Sequence, residues 1–60
     1  MSTNTQTASA KIALINSQET LSKYEERMTR LYECGALSEG EFCEIIGLIA
    51  DRETDIDLAA

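Results

Sequence analysis

The sequence predicts an all-α protein, an antiparallel helical hairpin. Gly35 follows an apolar helical pattern at the place where helices commonly end in a left-handed residue, which glycine adopts without steric cost. Ser38 stands three residues before Glu41, the spacing of a capping box in which each side chain accepts from the other residue's amide. We expect three segments: a long helix over about residues 8–34, a turn over 35–38 and a second helix over about 39–52.

The first helix is predicted from apolar positions that recur at alternating gaps of three and four residues, the spacing of a coiled-coil seam. These positions are Ala10, Leu14, Ser17, Leu21, Tyr24, Met28 and Leu31. Residues 1–7 are polar and are expected to form a disordered arm. An alternative is a break near Asn16-Ser17, where Asn16 and Glu19 have the spacing of a second capping box. Residues 8–15 would then form a separate short helix that folds back onto the hairpin.

A second apolar face opposes this seam at the start of the helix. Ala8, Ile12 and Ile15 project opposite Leu14 and Leu21 if the helix is continuous. An apolar face that one hairpin cannot cover indicates a contact with a second subunit or a partner protein.

The second helix carries its apolar residues on one wide face. Phe42, Ile45, Ile46 and Ile49 have the helical spacing, and Leu48 widens the face at one flank. An acidic tail over residues 53–60 is expected to follow, either frayed or docked through its two aliphatic residues.

The length of the chain favours self-association. A domain of 60 residues buries only about 60% of its unfolded surface. Scaffolds of this size usually add disulfides, a metal or oligomerisation, and two cysteines without any histidine make the first two routes poor. We therefore expect a helical-bundle homo-oligomer, with a dimer favoured.

The formal charge is strongly asymmetric. Residues 1–32 hold four basic and three acidic side chains, net +1, whereas residues 33–60 hold one basic and eight acidic side chains, net −7. Direct binding to nucleic-acid phosphates or anionic membranes needs a positive footprint, so neither is expected. The acidic surface is predicted to include Glu39, Glu41, Glu44, Asp51 and Asp55.

The sequence offers no set of catalytic residues. A cysteine nucleophile needs an activating base, and the chain has no histidine to serve Cys34 or Cys43. Both are interpreted as small packing residues, with a redox disulfide across the turn as the alternative. We predict a non-enzymatic protein without cofactor or metal. The chain has no secretory pattern and no apolar run of about 20 residues, so a cytoplasmic location is expected.

Residues 31–49 resemble the SHOCT family, a short helical-hairpin module found at the C-termini of bacterial proteins. The resemblance rests on Leu31, Gly35, the run Ala36-Leu37-Ser38 and the pair Glu41-Phe42, and it covers about a third of the chain. It departs where a basic stretch usually follows the aromatic residue, since this chain continues Cys43-Glu44-Ile45-Ile46. The resemblance implies an oligomerisation or protein-contact module.

Two functions follow from these observations. The first is a protein-binding and oligomerisation module that acts through an apolar helical surface. Its expected interface consists of Ile12, Leu14, Ile15, Leu21, Tyr24, Met28, Leu48 and Ile49. The alternative is an acidic inhibitor, encoded by a phage or mobile element, that blocks a basic nucleic-acid- or nucleotide-binding site of a host protein. An oligomer with a ligand pocket at its interfaces is a third possibility.

Overall fold

Three helices make up the computed structural model, which describes residues 2–59. They are α1 (Thr3–Ala13), α2 (Gln18–Glu33) and α3 (Glu39–Ala59). The described residues contain no strand, so the all-α class is confirmed. The prediction of only two helices is wrong, because the long first helix is divided.

The division lies at residues 14–17, where the alternative break was placed. The amides of Leu14 and Ile15 close the last turn of α1 on Lys11 and Ile12, at 3.1 Å each. Ser17 is extended and starts α2, with its Oγ accepting from the amide of Thr20 at 3.5 Å. The cap is therefore Ser17 and not the Asn16–Glu19 pair.

Both ends of the chain are more helical than the sequence suggested. The side chain of Ser2 caps α1 by accepting from the amide of Thr5 at 3.2 Å, and Thr5 itself is fully buried. Residues 3–7 are thus the first turns of α1, and residues 53–59 continue α3. Met1 and Ala60, the outermost residues of the predicted arm and tail, lie outside the described residues.

The third helix is the spine on which the other two pack. α3 contacts both α1 and α2, which contact each other far less. Ser2 lies near Glu41 at the start of α3 and Ile15 lies near Arg52, eleven residues further along it, so α1 runs parallel to α3. The Cα atoms extend 35 × 20 × 14 Å, a flat arrangement.

The second helix runs antiparallel to α3. The side-chain amide of Gln18 donates to the carbonyl of Glu53 at 3.0 Å near one end. Near the other end the rings of Tyr32 and Phe42 stack, with centroids 4.4 Å apart and planes 7° from parallel. Of the long helix predicted over about residues 8–34, only the part in α2 runs antiparallel to the last helix.

The core is one continuous cluster shared by the helices and the turn. Its buried members are Ala8, Ile12, Leu21, Met28, Leu37, Ile45 and Ile49. Ile12 was expected at an interface and is only 3% exposed, whereas Leu14 was expected in the seam and is 80% exposed. The break explains both differences, because it allows α1 to pack on α3 through the face that carries Ile12.

The turn between α2 and α3 has the predicted chemistry. Gly35 has φ +85, and the amides of Ala36 and Leu37 both reach the carbonyl of Leu31, at 2.8 and 3.3 Å. Buried Leu37 closes the core below this turn. The capping box is also present, with the Glu41 amide 3.2 Å from Ser38 Oγ and the Ser38 amide 3.1 Å from Glu41 Oε1.

Gly35 and Gly47 provide a test of the turn. A Cβ at either position meets nothing within 4 Å, so substitution by alanine acts through backbone conformation alone. We expect Gly35→Ala to lower the free energy of unfolding by about 1 kcal/mol, because of its positive φ. Gly47→Ala, inside α3, should raise it by about 0.5–1 kcal/mol. Urea denaturation measures both, and effects of equal sign would contradict the assignment.

Candidate functional site: a basic groove between α1 and α2

A groove of about 620 Å³ runs along α2, bordered by the C-terminal end of α1. The break at residues 14–17 creates it by placing two short helices side by side on α3. No residue of α3 lines it. Its lining consists of Lys11, Ile15, Thr20, Lys23, Tyr24, Glu26, Arg27, Arg30 and Leu31.

The groove gathers four of the five basic side chains of a protein whose net charge is −6. These four are Lys11, Lys23, Arg27 and Arg30. Among residues 2–59, the only ion pair joins Lys23 Nζ to Glu19 Oε1 at 3.5 Å, and both side chains are more than 70% exposed. A pair so exposed contributes little. The other three cations therefore have no carboxylate partner within the described chain.

The fifth cation is occupied elsewhere. Arg52 Nε donates to the carbonyl of Ile15 at 2.9 Å, and its Nη2 donates to Asn16 Oδ1 at 3.0 Å. Arg52 thus fixes the connection between α1 and α2 to α3. Every basic side chain without such a structural role lies on the groove.

Apolar side chains form the floor of the groove. Ile15, Tyr24 and Leu31 are half-buried and pack against the core. Burial raises the pKa of the Tyr24 phenol, an effect that the nearby charge of Arg27 opposes. Tyr24 consequently stays protonated at neutral pH and can donate a hydrogen bond. An apolar floor with a basic rim suits an amphipathic anionic surface.

The predicted acidic surface divides into two parts. Glu39, Glu44, Asp51 and Asp55 are exposed, as expected. Glu44, Asp51 and Asp55 are spaced seven and four residues apart, which places them on one face of α3. We call these three residues the acidic stripe. They make no hydrogen bond or ion pair with another described side chain.

Glu41 has a structural role and is not part of the free acidic surface. Its Oε2 accepts from Ser2 Oγ at 2.9 Å and from Asn4 Nδ2 at 3.0 Å, while Oε1 accepts from the Ser38 amide. These hydrogen bonds, chiefly the one from the Ser38 amide, hold the pKa of Glu41 below its usual value. One carboxylate thereby joins the start of α1 to the start of α3.

The predicted interface residues are only partly brought together. Ile15 and Tyr24 meet on the groove floor, and half-buried Leu48 packs against the core. Exposed Leu14 lies outside the groove lining. The remaining members of the predicted interface are buried: Ile12, Leu21, Met28 and Ile49.

Sequence reasoning missed the basic residues of the groove. Lys23, Arg27 and Arg30 lie off the apolar stripe of α2, a position typical of a solvated surface. The signal available was the scarcity of basic residues, four of which fall within residues 11–30 of an acidic chain.

The two cysteines are exposed and unpaired, so their interpretation as packing residues is wrong. Cys34 caps the end of α2, where its Sγ donates to the carbonyl of Leu31 at 3.4 Å. Cys43 lies on the face of α3 opposite buried Ile45. Within residues 2–59, no three side chains of the metal-binding types form a cluster. None of the described helices is long and apolar enough to cross a membrane.

Comparisons of the chain with protein-family models, with curated proteins and with solved structures give no significant match. The resemblance of residues 31–49 to the SHOCT module therefore stays a prediction. The groove and the charge distribution are the features from which a function can be inferred.

The hydrogen bonds of Glu41 predict a specific pH dependence. Its pKa lies below the usual value of 4.5 in the folded protein, so its contribution to stability is present at neutral pH. That contribution is lost as the pH falls through the folded-state pKa. We expect Glu41→Gln to flatten the decline of the free energy of unfolding below pH 4.5, measured by urea denaturation at several pH values.

Glu39→Gln is the matched control, because Glu39 starts the same helix and makes none of these hydrogen bonds. Its profile should follow that of the wild-type protein. Identical pH profiles for Glu41→Gln and Glu39→Gln would show that the Glu41 carboxylate does not account for the loss of stability at low pH.

Proposed function

We propose that this protein is a small non-enzymatic module that binds protein and self-associates, with a dimer as the smallest assembly. The observation that carries the proposal is the open apolar floor of Ile15, Tyr24 and Leu31. An apolar surface at the bottom of a groove is stabilised when another chain removes it from water. The proposed surface is narrower than the predicted interface, because four residues of that interface are in the core.

The shape of the molecule supports self-association. α1 and α2 both pack on α3, and the Cα atoms extend only 14 Å in the thinnest direction. A chain of 60 residues in this arrangement exposes much of its side-chain surface, and oligomerisation is a common way to bury more of it. The resemblance of residues 31–49 to the SHOCT module agrees with this role.

The composition supports the non-enzymatic part of the proposal. The chain has no histidine, and neither exposed cysteine has a base to activate it. We also propose a cytoplasmic location, where two unpaired thiols remain reduced. Neither a cofactor nor a metal is part of the proposed activity.

Substitution of the groove floor tests the proposed function. Ile15→Glu removes an apolar side chain from the floor and adds a carboxylate that a partner would have to desolvate and that competes for the groove cations, so self-association should weaken about tenfold or more. Sedimentation equilibrium over a wide concentration range gives the dissociation constant. Far-UV circular dichroism establishes that the variant is folded, and Tyr24→Gln is a second variant of the same floor.

Ala10→Glu is the matched control, because Ala10 is exposed on the same helix and lies outside the groove lining. It adds the same charge and should leave the dissociation constant within about twofold of the wild-type value. A wild-type protein that sediments as one chain at every concentration would overturn self-association.

An acidic inhibitor is the second candidate, and the acidic stripe favours it. Three exposed carboxylates on one face of a helix present the charge that a basic nucleic-acid- or nucleotide-binding site recognises. The expected target is a host protein whose anionic ligand competes with this protein for the same basic site. This reading assigns binding to the stripe and leaves the groove without a role.

Neutralising the stripe separates the two candidates. The inhibitor candidate predicts that this protein binds a host protein and that an oligonucleotide displaces it from that complex. Glu44→Gln, Asp51→Asn and Asp55→Asn together should then abolish capture of the host protein. The matched control neutralises Glu25, Glu33 and Asp57, acidic residues outside the stripe. Equal capture by both triple variants would eliminate the inhibitor reading.

A further inference from the structure

We infer that the occupant of the basic groove is the acidic stripe of α3 from a second copy of this chain. The inference rests on the proposed self-association and specifies which two surfaces meet. It assigns a common role to the two strongest charge features of the molecule, which lie on different helices.

The charges of the two surfaces are complementary. The groove presents Lys11, Arg27 and Arg30 without an ion pair and Lys23 in one exposed ion pair, and its lining includes one carboxylate, that of Glu26. The stripe presents three exposed carboxylates that make no hydrogen bond or ion pair with described side chains. Opposite charges across an interface accelerate the encounter and fix its register.

The dimensions of the two surfaces also agree. The groove follows α2 from Thr20 to Leu31, a separation of eleven residues that spans about 16 Å of helix. The stripe runs from Glu44 to Asp55, also eleven residues and about 16 Å. A helix face of this length therefore matches the part of α2 that carries the cations.

The two surfaces lie on different elements of the chain. No residue of α3 lines the groove, so the stripe of one copy does not occupy that copy's own groove. Pairing groove with groove, or stripe with stripe, would bring like charges together. A two-fold dimer makes two reciprocal groove–stripe contacts, whereas a dimer with one such contact keeps a free groove and a free stripe for further copies.

A charge-swap experiment tests the contact. The groove variant carries Lys23→Glu, Arg27→Glu and Arg30→Glu, and the stripe variant carries Glu44→Lys, Asp51→Lys and Asp55→Lys. Each variant alone opposes surfaces of like charge, so its self-association should weaken about 100-fold or more. In an equimolar mixture, the acidic groove of one variant meets the basic stripe of the other, and assembly should return.

Sedimentation equilibrium measures the mass of each variant and of the mixture. A control with Glu25→Lys, Glu33→Lys and Asp57→Lys has the same net charge as the stripe variant but leaves stripe and groove unchanged. It should assemble like the wild-type protein. Raising the salt concentration should weaken wild-type assembly, because ions screen exposed charges.

The outcomes distinguish this inference from the proposed function. If the wild-type protein and both variants assemble equally, self-association stands and uses another surface. If only the groove variant loses assembly, or if the mixture stays dissociated, the stripe is not the occupant and the inference is wrong. If the wild-type protein is monomeric throughout, self-association and the groove–stripe contact are both overturned.

Discussion

The contact of Arg52 with the connection between α1 and α2 is the interaction on which the arrangement depends. The last carbonyls of a helix have no intrahelical partner, and the Ile15 carbonyl just beyond α1 receives the guanidinium at 2.9 Å. The same side chain holds Asn16, so the chain reverses at a point fixed to α3. Glu41 fixes the opposite end of α1 through Ser2 and Asn4. With both ends of α1 attached to the spine, α1 lies parallel to α3, and the groove beside α2 follows from that placement.

Local features of the sequence were predictable and distant contacts were not. Gly35 defines the turn, and the box formed by Ser38 and Glu41, three residues apart, defines the start of α3. Both features depend only on neighbouring residues, so they could be predicted from the sequence. The end of α1 depends on Arg52, which is 36 residues from Asn16 along the chain. Without that contact, the seam through Leu14 and Ser17 favoured a continuous helix. The buried position of Ile12 and the exposure of Leu14 both follow from the break, and the sequence pattern alone did not decide it.

The candidate site was harder to predict for the same reason. Ile15 and Tyr24 were expected at an interface, and they meet on the groove floor. Their basic neighbours are ordinary surface residues when each helix is considered alone. Lys11 joins the cations of α2 only because α1 folds back beside that helix. A groove between two helices depends on how they pack, so it cannot be predicted from the hydrophobic periodicity of either helix alone.

The segregation of charge has a cost that favours an intermolecular role. Lys23 and Arg27 are four residues apart on α2, and Asp51 and Asp55 are four residues apart on α3. Like charges at this spacing destabilise a helix by about 0.2–0.5 kcal/mol for each pair. Interspersing the same residues would remove the repulsion and keep the net charge of −6. Within one copy the exposed Glu19–Lys23 pair offsets part of this cost on α2, and no ion pair among the described residues does so for the stripe on α3. A groove that receives an acidic helix offsets this cost, because three carboxylates of another copy then face the four cations.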